Sequence, residues 1–228
     1  MIHIQNLEKK YASEFTLQID ELHIEKNDRV ALVGANGSGK STLLRLLSGY
    51  IAADQGECIV SCEKNETGYE PQSPFCCNLS LRRNLELGID RDNNNKKEII
   101  TRIMESFGLT HLAEHRPNAL SGGEKQRMCL ARMLVKHYRL LLLDEPLSAV
   151  DIELTEKLEA VLMDYCRQND TTLLFSTHLP SQAVRISNKM IVMHKGRVVE
   201  FGNTADILRN PQTEFGKAFL NNWRIDKC

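Results

Sequence analysis

A short apolar stretch, Arg29 to Val33, runs into Gly34-Ala35-Asn36-Gly37-Ser38-Gly39-Lys40-Ser41-Thr42, and a helical segment follows from Lys40 to Leu47, stopping at Gly49. Every fixed position of the pattern G-x-x-x-x-G-K-[ST] is filled, in the strand-before and helix-after context the pattern requires. No other feature restricts the fold as much, because such a loop works only at the end of a strand in an α/β sheet. The glycines let the backbone curl with its N–H groups inward, and the next helix adds the positive end of its dipole, which makes a phosphate cradle. Lys40 would neutralise charge on β- and γ-phosphates, and the Ser41 hydroxyl would ligate Mg²⁺. A glycine-rich turn matching by chance would not sit between a strand and a helix. Gly34 to Thr42 are therefore the expected nucleotide-binding residues.

The rest of the chain supplies an α/β fold around that loop. Met1 to Tyr11 and Glu14 to Glu25 alternate apolar and polar residues, which predicts an N-terminal antiparallel strand pair. From Asn78 to about Pro117 the character is helical, with Ile99, Ile100, Ile103, Met104 and Phe107 on one face and Gly108 as a stop. A helix after Ser121, a strand at Leu140–Leu143, a helix through Leu154, Leu158, Val161, Leu162 and Tyr165, and a strand at Thr172–Ser176 continue the βα rhythm. Met190–Met193 and Arg197–Glu200 flank His194-Lys195-Gly196 and predict a hairpin. The expectation is one α/β domain over 1–228, with a P-loop NTPase core, a mostly parallel sheet and a helical insertion at about 75–120.

Leu140-Leu-Leu-Leu-Asp144-Glu145 is a buried-type strand that ends in two carboxylates, where α/β sheets place their ligands. Asp144 suits Mg²⁺ held through water, and Glu145 can take a proton from an attacking water. By itself the pair could also be a solvated acidic turn. Leu120-Ser121-Gly122-Gly123-Glu124-Lys125-Gln126-Arg127 decides between the two: with Gly34–Ser41 and Asp144-Glu145, the chain resembles the ATP-binding-cassette family along almost its whole length. Ser121 can cap a second helix, and Gly122 and Gly123 leave its N-terminus open to close approach.

The resemblance implies further roles. Tyr11 corresponds to the aromatic residue that stacks on adenine, Gln72 to the lid glutamine that joins Ser41 and Asp144 at the metal, and Ser148–Asp151 to the loop crossing a dimer interface. His178 corresponds to the switch histidine, catalytic beside Glu145 and Lys40. It also implies a homodimer, or a pair with another cassette, that sandwiches two ATP molecules between one subunit's phosphate loop and the other's Ser121–Gly123. ATP and Mg²⁺ are the implied cofactors. An integral membrane permease is the implied partner, with an extracytoplasmic solute-binding protein as a further one, and the place of work is the cytoplasmic, inner face of the cell membrane.

Composition narrows the field without opposing this reading. In 228 residues, 42% are hydrophobic and 26% charged, and a net charge of -1 offers no basic footprint for nucleic acid. The strictly aliphatic run Leu140–Leu143 is far short of the roughly 20 residues a membrane span needs, and no signal peptide opens the sequence. Any membrane part is expected on another chain. The seven cysteines are an odd number and fit reduced thiols. His111-Leu-Ala-Glu114-His115 matches a zinc-peptidase pattern but lies where the family has a variable helix end, and Cys58, Cys62, Cys76 and Cys77 are poorly spaced for tetrahedral metal. Asn65, Asn78 and Asn169 head glycosylation triplets that an intracellular chain would not use. Phe215, Phe219 and Trp223 predict a C-terminal helix docking on the domain.

Three departures from the family pattern stand out. Asn27-Asp28 replaces Gly-Glu, the stretch from Gly56 to Gln72 is short and suggests a trimmed sheet near Cys58, and Arg82-Arg83 stands where an acid is expected. The two arginines either set the charge of a docking partner or are simply solvated. Gly196 to Gly202 and Asn210-Pro211 resemble importer subunits, so a transporter motor working in import is the leading expectation. An exporter motor is the first alternative. A ribosome-associated factor would need two cassettes, and a chromosome-maintenance ATPase would need a long heptad insertion.

Overall fold

The computed structural model describes residues 1–11, 15–90 and 92–221. Strands β1 (Ile2–Lys10) and β2 (Thr16–Ile24) pair antiparallel from Ile2 opposite Ile24 to Lys10 opposite Thr16. Their alternation buries Ile2, Ile4 and Leu7 from one strand and Leu17, Ile19, Leu22 and Ile24 from the other. The pattern slips at Asn6, whose φ is 48°, and there β4 (Gln55–Val60) crosses the irregular part of β1. A Cβ on Gly56 would lie 2.0 Å from the Asn6 carbonyl oxygen, so only glycine lets the two backbones pass.

The core sheet is assembled from β3 (Arg29–Gly34), β5 (Thr67–Glu70), β6 (Leu140–Asp144), β7 (Thr172–Ser176), β8 (Lys189–His194) and β9 (Arg197–Asn203). With the first three strands it makes a nine-stranded sheet in the order β4-β1-β2-β9-β8-β3-β7-β6-β5. The run β8-β3-β7-β6-β5 is parallel throughout, and β9 returns antiparallel on β8 through Lys195 and Gly196, both at positive φ. The N-terminal pair joins this core at one parallel contact, Gln18 opposite Arg197.

The period of two sorts the core strands onto two apolar layers. Ala31, Val33, Leu141, Leu143, Leu173, Phe175, Met190 and Val192 face one layer, and Val30, Leu32, Leu140, Leu142, Leu174, Ile191 and Met193 the other. Helix α1 (Lys40–Leu47) buries Leu43, Leu44, Leu46 and Leu47 on the second layer beside β1 and β2. The first layer takes α2 (Leu81–Glu86), α3 (Lys96–Ser106), α4 (Gly122–Leu134), α5 (Ile152–Gln168), α6 (Pro180–Ile186), α7 (Thr204–Arg209) and α8 (Glu214–Asn221). Each fully buried leucine contributes about 1.5–3 kcal/mol.

The helical insertion is less continuous than its composition suggests. Residues 75–80 are irregular, and helix begins only at Leu81, where the Ser80 hydroxyl accepts from the Arg83 N–H. The buried Asn84 side chain holds that irregular segment, donating to the carbonyls of Cys77, Leu79 and Ser80 and accepting from the Cys77 N–H. Phe215 and Phe219 do pack α8 on the hairpin, Phe215 stacking on His194 with centroids 3.7 Å apart, while Trp223 lies outside the described residues. Near Cys58 the six-residue β4 starts at Gln55 and runs five residues into the short Gly56–Gln72 stretch.

Candidate active site

Because β3, β7 and β6 are adjacent and parallel, their carboxyl ends bring the Gly34 loop, the Ser176–His178 turn and Asp144-Glu145 to one edge of the sheet. There a cavity of about 550 Å³ is lined by Asn36 through Thr42, the aromatic residues Tyr11 and Phe15, and Arg45, Gln72 and Glu145. That volume is in the range of small-molecule sites. Gly39 caps α1 with φ 107°, a conformation glycine adopts at low cost, and it brings no capping side chain to the N–H groups of the first turn. Those groups remain suited to an anion. The buried Lys40 ammonium donates to the Gly34 carbonyl at 2.9 Å and the Ala35 carbonyl at 3.2 Å. Burial lowers its pKa, and the carboxylates of Glu145 and Asp144 oppose that shift.

Glu145 sits at the centre of the polar network. Its φ of 52° turns the chain sharply at the strand end. Gln72 Nε2 donates to its Oε2 at 3.0 Å, and His178 Nε2 meets its Oε1. Its backbone N–H donates to Ser176 Oγ at 2.9 Å, while the Ser176 hydroxyl donates to Asp144 Oδ1 at 2.6 Å. Asp144 is buried, and the Glu145 side chain is 12% exposed. Gln72 and His178 thus converge on one carboxylate beside the Gly34–Thr42 loop, and a carboxylate so placed can accept a proton.

Ser121 caps α4 as expected. Its hydroxyl accepts from the Glu124 N–H at 3.3 Å, and the Glu124 carboxylate accepts from the Ser121 N–H at 2.7 Å. Those hydrogen bonds hold the Glu124 carboxyl below its ordinary value. A Cβ on Gly123 would lie 2.4 Å from the Ala149 carbonyl oxygen, whereas one on Gly122 would meet nothing within 4 Å. Ser121, Gly122 and Gly123 do not line the cavity, so this chain presents two anion-suited helix starts at separate places.

The structure thus brings Tyr11, Lys40, Ser41, Thr42, Gln72, Asp144, Glu145 and His178 together. Phe15, Arg45, Ser176 and Gln126 are additions. Gln126 donates to the Glu145 carbonyl at 2.7 Å and to Ser148 Oγ at 3.2 Å, and accepts from the Ala149 N–H at 2.8 Å, which ties α4 to the Ser148–Asp151 loop. Neither Gln126 nor Phe15 is singled out by sequence alone; the signal for Gln126 is its place inside the Leu120–Arg127 motif, and for Phe15 only its being an aromatic residue near Tyr11. Ser176 becomes visible only through the register that sets it opposite Asp144. Cys58 and Cys62 pack on the second apolar layer and Cys76 on the first, so the cysteine pairs do not converge.

Residues 17–148 match the family model described as ABC transporter. This chain belongs to the ABC transporter family. Among ABC relatives, it is 30% identical to the putrescine transport ATP-binding protein PotG of Escherichia coli over 99% of its own length and 63% of PotG. Identity to the thiamine import ATP-binding protein ThiQ of Photobacterium profundum is 34%, covering 85% of this chain and 86% of ThiQ. Against PotG and the spermidine/putrescine protein PotA of Protochlamydia amoebophila, the chain spans 63% and 62% of the relative's length. A chain of an inward-facing ABC transporter superposes with TM-score 0.77 at 32% identity, covering 97% of this chain and 88% of that one. An ATP-binding ABC subunit superposes at 0.84 with 21% identity, covering 97% and 99%, and so shares the ABC fold. Among the described residues of this ABC chain no helix is long and apolar enough to cross a membrane.

Proposed function

We propose that this chain is the ATP-binding, ATP-hydrolysing motor subunit of an ABC transporter, and that it couples hydrolysis to solute import through a separate membrane permease. The observation that carries the reading is Glu145, held by Gln72 and His178 at the edge of a phosphate-loop cavity. Tyr11 stacks on the base, the Gly34–Thr42 loop and Lys40 bind the phosphates, and Glu145 takes a proton from the water that attacks the γ-phosphorus. The P–O bond from that water forms as the bond to the β-phosphate oxygen breaks, and ADP leaves. His178 steadies Glu145 and offers an N–H to the γ-phosphate.

The buried hydroxyl of Ser38, which has no hydrogen-bond partner among the described residues, fits a phosphate oxygen acceptor in that loop. Ser41, Gln72 and Asp144 are oxygen donors of the kind Mg²⁺ prefers. Mg²⁺ would supply charge neutralisation at the β- and γ-phosphates.

A second cassette, identical or paired, would complete each site by bringing its Ser121–Gly123 to the γ-phosphate; the open space over Gly122 supports this. Import is supported by relatives named for polyamine, sulfate/thiosulfate and thiamine import. The subunit would then work as one ABC unit on the cytoplasmic face of the membrane, with an extracytoplasmic solute-binding protein as a further partner. The test is Mg²⁺-dependent ATPase activity of the purified chain, together with capture of its partner from cells. Recovery of ribosomes or DNA in place of an integral membrane protein would overturn the transport reading.

A further inference from the structure

Two thiols that the hydrolytic site does not use meet between the irregular 75–80 segment and α4. Cys76 Sγ lies 3.5 Å from Cys129 Sγ. Cys129 is fully buried on α4, and Cys76 is half-buried four residues after Gln72. The segment is seated firmly at this point: the Phe75 carbonyl accepts from Arg132 Nη2 at 2.7 Å and from Cys129 Sγ at 3.7 Å. Asn84 fixes the residues that follow. Both sulfurs are therefore held in contact by neighbours on each side, and closing from contact to a bond needs about 1.5 Å of movement.

We propose that Cys76 and Cys129 are a dithiol modification site that hydrogen peroxide converts to an intrachain disulfide, fastening the segment after Gln72 to α4. Cys76, the more exposed thiol, attacks the peroxide oxygen; the O–O bond breaks, one water leaves and a sulfenic acid forms. Cys129 Sγ then attacks Cys76 Sγ, the S–O bond breaks, and the hydroxyl leaves as a second water with the Cys129 proton. Two thiols and one peroxide give one disulfide and two waters. Burial, reinforced by the Glu70 carboxyl, raises the Cys129 thiol and leaves the first attack to the more exposed Cys76, while contact at 3.5 Å lets Cys129 act second.

The consequence for turnover rests on the proposed function. Gln72 bonds Glu145, and α4 carries both the Ser121 cap and Gln126, which holds the Glu145 carbonyl. A covalent bond between the 75–80 segment and α4 restricts movement of Gln72 relative to Glu145 during the cycle.

The experiment treats the full chain with hydrogen peroxide and digests it with trypsin without reduction. The expected product joins peptide 65–82 to peptide 128–132 with loss of two hydrogens. It persists in Cys77→Ser and is absent in Cys76→Ser and in Cys129→Ala. ATP turnover is expected to fall at least about five-fold and to recover with dithiothreitol in the wild type, with no such reversible loss in Cys76→Ser. Cys76 oxidised to sulfinic acid beside a free Cys129, or a bond through Cys77, overturns the site. The joined peptide with unchanged turnover overturns the coupling to hydrolysis. A reduced chain without ATPase activity would count against the proposed function, while the peptide map would still decide the disulfide.

Discussion

Glu145 Oε1 and His178 Nε2 meet across the ends of neighbouring parallel strands, one residue beyond β6 and two beyond β7. Register makes the meeting possible, because Asp144 lies opposite Ser176 and both turns start from that pair. The ring that grips the carboxylate is the same one proposed to offer an N–H to the γ-phosphate.

Glu145→Gln should retain ATP binding and lose about 100- to 10,000-fold in hydrolysis, the worth of a positioned base. The amide still accepts from Gln72 but takes no proton. ATP-bound dimers should accumulate in size-exclusion chromatography, since nucleotide binding favours association by mass action. Turnover near that of the wild type would reassign the base.

His178→Ala should lower kcat by at least about ten-fold while moving the ATP Kd less than about three-fold, because its contact strengthens as charge develops. Steady-state turnover beside equilibrium binding of labelled ATP separates the two effects. Equal losses in both would make His178 a strand-end cap and no more.

Much of this arrangement was legible in the sequence where one local pattern fixes one geometry. Lys40–Leu47 and Thr172–Ser176 are helix and strand over the bounds their apolar spacing implies, and Ser121 caps α4 with Glu124 three residues on. What escaped depends on tertiary partners. β5 is four residues containing Gly68 and Glu70, and becomes a strand because β6 offers it a ladder from Thr67 to Glu70. β4 is an edge strand that turns only Cys58 and Val60 onto the second layer, and it is held mainly by pairing to β1. The irregular 75–80 segment follows from Asn84, whose amide satisfies backbone groups that a helix would satisfy internally.

Gly122→Ala and Gly123→Ala should behave oppositely. A methyl on Gly122 meets open space, so the chain should unfold at the wild-type denaturant midpoint yet dimerise poorly with ATP. The methyl on Gly123 meets the Ala149 carbonyl, and crowding there should cost about 1–3 kcal/mol of stability. Equal stability losses in the two variants would contradict the open space over Gly122, and wild-type dimerisation of Gly122→Ala with ATP would show that this opening has no bearing on assembly.

The Ser121–Glu124 cap should carry a pH signature. Glu124 has its carboxyl lowered by the Ser121 hydrogen bonds, so its contribution is present above the ordinary value of 4.5 and is lost as pH falls through the lowered folded value. Glu124→Ala, which removes the carboxylate that accepts from the Ser121 N–H, should cost about 1 kcal/mol near neutral pH. The difference from wild type should shrink below pH 4.5, which denaturant titrations at both pH values can read. A constant difference would show that the Glu124 charge contributes nothing to the cap.

Arg82 and Arg83 differ in exposure and in partners. Arg82 Nε lies 3.7 Å from Glu114 Oε1, so part of its charge is used within the chain, while Arg83 is exposed. Asn84 is buried and cannot be part of a contact face. If the 78–83 surface grips a permease helix, Arg83 faces a carboxylate or a run of carbonyl oxygens there. Arg83→Glu should leave the isolated subunit's ATPase within about two-fold of wild type, because a surface charge away from the cavity contributes little to turnover. It should abolish co-purification with the membrane partner and transport, and Arg82→Glu should weaken both less. A double variant that still assembles and supports uptake would show both arginines to be ordinary solvated surface charges.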